Sequence, residues 1–464
     1  MNNKLRILIS FLVLFPISIQ AQEVLTMRRA LELSVKNYGS IKARTYQVEA
    51  SKNSLSQARR DYLPNVVLSL QQDYGTVNGQ NGPVYGFGGF AVASSGLPLQ
   101  KQNWNAGFGA LYLANVNWEV YSFGRTSGRI HVANAALGIA EADLAQEQFQ
   151  HQVRVAAAYL NALGSERLMA TQQKNLQRAQ VIQTAIVARA KGGLAAGVDS
   201  AQANAEVAAA KIALLRAADL QQEQERNLAF LVGIGSEIFS LDTAFVTDLP
   251  AFNKPDTINQ DIHPTLKYYQ SRYALTNEQL KLGRASYYPS VNLVGIFQTR
   301  ASGFSQTYAQ DQSRFTNDYA TGIKPTISNY LVGVGVIWNL TTIARVNAQV
   351  KSLKYSSLAT ETELQLAKDQ LNIQSQIADS KFARALEMQE QAPIQVNSAS
   401  IAYNQRSALY KNGLTNLVDV TTALYTLNRA ESDRDLAYIN VWQALLLKAA
   451  ATGDLNIFTD QLTR

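Results

Sequence analysis

The chain has 464 residues, with 42 Lys and Arg against 35 Asp and Glu, and no cysteine. That composition excludes a disulfide framework and an acylated cysteine, and a formal charge of +7 without any Lys/Arg block leaves nucleic acid an unsuited partner. No run approaches the ~18 consecutive apolar residues of a membrane helix, whereas a membrane β-barrel stays open because its strands carry a weaker signal.

In chain order, residues 1–21 read as a signal peptide: Lys4 and Arg6 form a basic start, Ile7 to Ile17 an apolar core, and Ser18-Ile19-Gln20-Ala21 a cleavage site. Its removal takes the charge from +7 to +5 (7 minus Lys4 and Arg6). A helix is expected over Met27–Asp61, and Tyr62-Leu63-Pro64 ends it, because proline lacks the helix N–H and pushes its predecessor towards an extended backbone. Strands follow at about 65–74 and 106–121, separated by a Gly-rich loop. A long helix is expected over 124–191, then a turn containing Gly193 and Gly197, then a helix over 199–231. Residues 235–263, with Pro250 and Pro255, read as a linker.

The second half repeats the first. A helix over Pro264–Ser286 runs into Tyr287-Tyr288-Pro289, strands are expected at about 290–301 and 329–340, and long helices at 343–411 and 415–450 flank a turn at Gly413-Leu414. Tyr62 and Pro64 correspond to Tyr287 and Pro289, Trp118 to Trp338, Arg125 to Arg345, Gly193 to Gly413 and Asp199 to Asp419. Their sequence offset is constant except for one change of five residues between the strands, so 22–234 and 264–464 are two copies of one unit differing in one loop. About 65 residues of helix at 1.5 Å each would span about 100 Å. Leu417, Val420, Leu424 and Leu427 show the three-four spacing of a coiled-coil seam, and Pro393 is expected to kink or break the second long helix.

The hairpins carry the functional argument. Val66, Leu68, Leu70 and Tyr74 alternate with Ser69, Gln71 and Asp73, and Phe108, Ala110, Tyr112, Ala114, Val116, Trp118 and Val120 alternate with Asn115, Asn117 and Glu119. Tyr330, Val332, Val334, Val336 and Trp338 make a third apolar face. Period-two alternation of this length suits strands with lipid on one side and water on the other. Tyr62, Tyr121, Tyr287, Trp118 and Trp338 cluster at the helix-proximal ends, where an interfacial aromatic girdle sits. Four strands cannot close a barrel, and open edges in lipid leave N–H and C=O groups unpaired, so copies of the chain are expected to share one barrel.

The doubled helix–Pro–strand–loop–strand–long-helix unit resembles the TolC family of outer-membrane efflux proteins. So do Trp118-Glu119-Val120-Tyr121-Ser122-Phe123-Gly124-Arg125 and the turns Lys191-Gly192-Gly193-Leu194 and Lys411-Asn412-Gly413-Leu414. The resemblance implies a mainly α fold with a β-barrel part: a homotrimer, a twelve-stranded transmembrane barrel, and a coiled-coil helical tunnel in the periplasm of a Gram-negative cell. It implies a passive exit duct for efflux or type I secretion, served by a periplasmic adaptor and an inner-membrane pump of RND or ABC type.

The resemblance also implies roles at the inner end of the tunnel. Asp419 matches a family aspartate that forms a constricting ring, Tyr410 a tyrosine that hydrogen-bonds across the closed tip, and Thr422 stands where some members carry a second aspartate. Thr415 replaces a basic partner of some members. Asp199, the first-repeat match to Asp419, is also a gate candidate, although with Gln202 it fits a helix N-capping box, the preferred reading. The three histidines lack metal-ligand spacing and no nucleophile motif is present, so neither an enzyme nor a cofactor or metal site is expected. The competing reading is a periplasmic coiled-coil scaffold or adhesin without a pore.

Overall fold

A computed structural model describes residues 24–79, 96–193, 196–235, 239–242, 245, 249–250 and 263–463. The expected signal peptide and most of the expected linker lie outside the described residues. The chain forms two compact units, and these cut across the sequence repeat. A helical unit takes Met1–Glu49, Gly138–Tyr273 and Thr360–Arg464, and a second unit takes Ala50–Leu137 and Ala274–Ala359.

Strand β1 (Val24–Leu25) is followed by helices α1 (Met27–Asn37) and α2 (Gly39–Arg60). The single helix expected over Met27–Asp61 is therefore two. Tyr38 breaks it with an extended backbone (ψ 127°), and its ring stacks on buried His151 at 3.7 Å. Strands β2 (Asn65–Thr76) and β3 (Ala106–Tyr121) precede the long helix α3 (Arg125–Lys191) and its return partner α4 (Gly197–Val232). Strand β4 (Ser240–Leu241) pairs in parallel with β1, and Phe245 is buried, so part of the expected linker belongs to the core.

The second half runs α5 (Pro264–Ala285), β5 (Ser290–Ser302), a short α6 (Tyr319–Ile323), β6 (Ile327–Ile337), the long α7 (Thr342–Lys411), α8 (Leu417–Thr452) and α9 (Asn456–Thr459). The last strand ends at Ile337, short of the expected 340. Helix α7 passes through Pro393 without a break. A proline forfeits one N–H bond of a 70-residue ladder, and buried Ala392 and Ala399 hold the helix on either side.

In the helical unit the long helices pack as a seam. Buried Ala203, Ala210 and Ala217 on α4, and Ala378, Ala385, Ala392 and Ala399 on α7, recur every seven residues. Leu417, Val420, Leu424 and Leu427 on α8 are buried at three-four spacing. A sustained seven-residue period is the signature of supercoiled helices, and alanine lets their axes approach. Arg178 adds a bidentate pair to Glu431 at 2.6 and 3.0 Å. The largest core gathers Tyr159, Leu160, Leu228, Ile439, Trp442 and Phe458. The Tyr159 hydroxyl donates to the Leu25 carbonyl at 2.8 Å and accepts from the Asp242 amide at 2.9 Å, which ties the β1–β4 ladder to α3.

Candidate functional site

Two places carry the functional residues: the sheet of the second unit and the turns of the helical unit. In the second unit the strands form one antiparallel sheet in the order β2-β3-β5-β6. Residues directly opposite in an antiparallel pair share a face, so the register tests the faces read from sequence. It places Leu68 opposite Ala114, Ala114 opposite Phe297, and Phe297 opposite Tyr330. One row further, Val66, Val116, Gly295 and Val332 align. The apolar faces read from sequence on β2, β3 and β6 therefore lie on one side of the sheet, where Leu293, Gly295 and Phe297 of β5 join them. The other face aligns Val67, Asn115, Ile296 and Leu331 in one row and Ser69, Leu113, Gln298 and Asn329 in the next, a mixed surface with many amides.

That apolar face is open in the single chain. Leu68 is 79% exposed, Tyr330 82% and Val334 70%, far above what an isolated soluble sheet would leave to water. The outer strands β2 and β6 each have one unpaired edge. A bulge between Glu119 and Tyr121 corrects one assignment: Tyr121 stands opposite Val291, so it, rather than Val120, continues the apolar face.

The junction residues Tyr62, Pro64, Trp118, Tyr121, Tyr287, Pro289 and Trp338 gather at the helix-proximal end of this sheet. Here the structure adds a device that the sequence did not reveal. The Trp118 indole donates to the Tyr62 carbonyl at 2.8 Å, and the Trp338 indole donates to the Tyr287 carbonyl at 3.2 Å. In each repeat a strand-end tryptophan thus satisfies a carbonyl left free where the helix stops. Phe123 turns the chain into α3 with a positive φ of 50° before Gly124, and its ring bridges Tyr121 at 4.7 Å and Tyr288 at 5.7 Å. The second loop is more structured than its sequence suggests: Phe304, Tyr308 and Phe315 form an aromatic cluster with buried Tyr308.

In the helical unit, Gly193 and Gly413 both take the left-handed conformation (φ 74°) that ends a helix cheaply only with glycine. Asp199 and Asp419 each occupy the third position of the following helix, α4 and α8. The expected capping role of Asp199 is corrected: Ala196 is the N-cap, and it provides no side-chain bond. Asp199 instead lies close enough to Tyr410 for its charge to act on the phenol. Burial, and then the negative charge of Asp199, push the Tyr410 phenol above its ordinary pKa. Arg189 completes this knot. Its guanidinium donates to the Tyr410 and Lys411 carbonyls at 2.9 and 3.0 Å and lies 5.4 Å from the Tyr410 ring.

It is Asp419 that sits in a cap. The Asn416 side chain accepts from the Asp419 amide at 2.9 Å, and the Thr415 hydroxyl donates to the Asp419 carboxylate. Arg406, which sequence reasoning missed, lies 3.4 Å from the same carboxylate. The Thr422 hydroxyl bonds back to the Val418 carbonyl at 2.8 Å. Gly197 begins α4, and Leu414 projects from the second turn, 73% exposed.

The outer membrane efflux protein profile matches residues 30–234 and 261–446, most of both repeats. The chain belongs to the outer membrane efflux protein family. Solved structures share its fold. The outer-membrane channel OprN is 18% identical, with a TM-score of 0.75 over 92% of this chain and 89% of its own. The outer membrane protein VceC of Vibrio cholerae is 16% identical, with a TM-score of 0.74 over 92% and 96%. The MtrE outer membrane channel of Neisseria gonorrhoeae, in its open state, is 15% identical, with a TM-score of 0.72 over 92% and 89%. No curated sequence relative matches. The family is thus established by the profile, and its mostly helical fold with a four-stranded sheet by the structures.

Proposed function

We propose that this family member is an outer-membrane channel, the passive exit duct of a tripartite efflux or type I secretion system. Three copies each contribute β2, β3, β5 and β6 to a twelve-stranded barrel in the outer membrane. Their long helices continue as a periplasmic tunnel, whose turns at Gly193 and Gly413 meet a periplasmic adaptor beside an inner-membrane RND or ABC pump.

One observation carries this reading: a four-stranded sheet with a single continuous apolar face and two unpaired edges. In hydrocarbon each unpaired edge group costs several kcal/mol, so the edges of β2 and β6 must meet edges of other copies. A pore-free scaffold would have no use for the apolar face. Exposed Val198, Leu414 and Val418 beside the turns suit protein docking there. At the same end, three Asp419 carboxylates around the axis would form a constriction, each with Arg406 as its partner.

The test is conductance. Purified protein reconstituted in a planar bilayer is expected to give stable ohmic steps, and tags in the loop after β5 are expected to be reached from outside intact cells while tags at Gly413 are protected. Folded protein that inserts without conducting, or the opposite accessibility, contradicts the reading.

A further inference from the structure

The geometry points to a phosphate-binding cleft at the helix-side margin of the sheet, between the start of α3, the end of α5 and the start of α7. The cleft measures about 330 Å³, and its polar lining is Arg125, Arg129, Gln279, Ser286 and Gln349. At ~30 Å³ per water molecule, that is room for a phosphodiester and the glycerol beside it. The chemistry recognised is a phosphate group. Its source in the reading above is an anionic phospholipid of the leaflet facing the helices, so the lipid part of this inference rests on that reading.

The charge pattern is the first argument. Helices α3 and α7 have no acidic residue in their first turns. Helix α3 instead opens with Arg125 and places Arg129 one turn later. A helix N-terminus already carries positive partial charge, so cations there work against helix stability and need another reason. Lys281 and Arg284 on α5 and Arg345, Lys351 and Lys354 on α7 extend the same basic margin, against Glu119 and Glu278. Glu278 is engaged by Lys281 at 2.7 Å.

The unused donors are the second argument. Arg125 spends one terminal nitrogen on Glu119 at 2.7 Å, while its Nε is buried without a hydrogen-bond partner among the described residues. No carboxylate among the described residues pairs with Arg129, which also lines the cleft. Two guanidiniums facing one cavity, with amide and hydroxyl donors opposite, match the oxygens of a phosphate. The floor is close-packed by glycine. A Cβ at Gly283 would lie 2.8 Å from Leu353 Cδ1, and one at Gly128 would lie 3.1 Å from Leu282 Cδ1.

Position is the third. The cleft's Ser286 directly precedes Tyr287, and its Arg125 pairs with Glu119 beside Trp118, at the end of the sheet where lipid headgroups and interfacial aromatics would meet. Basic pockets at that depth hold anionic headgroups.

The experiment uses the intact detergent-solubilised protein, titrated with phosphatidylglycerol or phosphatidylcholine by native mass spectrometry and with inorganic phosphate by calorimetry. Arg129→Gln and Arg129→Lys are the variants, because Arg129 is exposed and its replacement leaves packing intact. Tighter binding of phosphatidylglycerol than phosphatidylcholine, weakened about tenfold by Arg129→Gln and less by Arg129→Lys, supports the cleft with lipid as source. Inorganic phosphate binding that Arg129→Gln abolishes, without lipid preference, supports it with free phosphate as source. No phosphate or lipid binding that depends on Arg129 overturns it. Conductance of the same preparations separates the two proposals. A conducting channel without Arg129-dependent binding removes the cleft alone, and a bound phosphate on a non-conducting protein removes the duct alone.

Discussion

Tyr410→Phe removes one hydroxyl and little else, which makes it the cleanest probe of the turn region. The ring keeps its place over Arg189 and beside Ile186, Ala203 and Leu417, but the hydroxyl near Asp199 is lost. A hydrogen bond from that hydroxyl to the Asp199 carboxylate would contribute about 1.5–3 kcal/mol net, and partial exposure places it near the lower end. If the bond is made only when the turns are drawn together, its loss shifts the open-to-closed ratio about tenfold per chain, since ~1.4 kcal/mol is a factor of ten. Three chains releasing together would shift it about a thousandfold. The assay is planar-bilayer conductance of the variant beside the parent, with circular dichroism to verify folding. Tyr410→Phe is expected to raise the open fraction or the mean conductance, and Arg189→Gln to do so as well by freeing the end of α7. An unchanged conductance in a folded variant refutes the idea that the Asp199–Tyr410–Arg189 knot restrains the tip.

Further expectations follow from the same geometry. Asp419→Asn is expected to weaken block by divalent cations, while Arg406→Ala, which uncovers the carboxylate, strengthens it; equal block in all three proteins removes Asp419 from the conduction path. His151 and His263 are buried, and burial lowers both pKa values below the ordinary range. The unfolded chain then binds more protons than the folded one as pH drops from about 6.5, so stability is full above that value and falls below it. A melting temperature lower at pH 5 than at pH 7, with a smaller difference in His151→Gln, is the expected result; a flat profile contradicts it. Trp118→Phe and Trp338→Phe keep an aromatic but lose the indole donor, and each is expected to cost about 0.5–1.5 kcal/mol in denaturant unfolding, more if the carbonyl stays buried.

The sequence was most legible where one physical rule acts locally. Proline after Tyr62 and Tyr287 ends each helix, glycine at 193 and 413 makes each left-handed turn, and alternation marks the strand faces, because each rule needs only neighbouring residues. The buried row Leu417, Val420, Leu424 and Leu427 follows helical periodicity for the same reason. Legibility failed where a partner lies far along the chain. Arg406 reaches Asp419 across a turn, Arg189 reaches Tyr410 from the other repeat, and Tyr38 leaves the helix to stack on His151. No local pattern announces these pairings. The bulge at Val120 is a one-residue insertion that alternation alone reads straight through, and the unbroken helix at Pro393 shows a strong ladder overriding a local breaker.

The central claim is that the edges of β2 and β6 are closed by other copies of the chain. The mass of the assembly in mild detergent, measured by native mass spectrometry, tests it most directly. The account predicts a species of three chains, which persists until denaturation. A stable, folded monomer in detergent and in bilayers would leave two bare strand edges in lipid and contradict it.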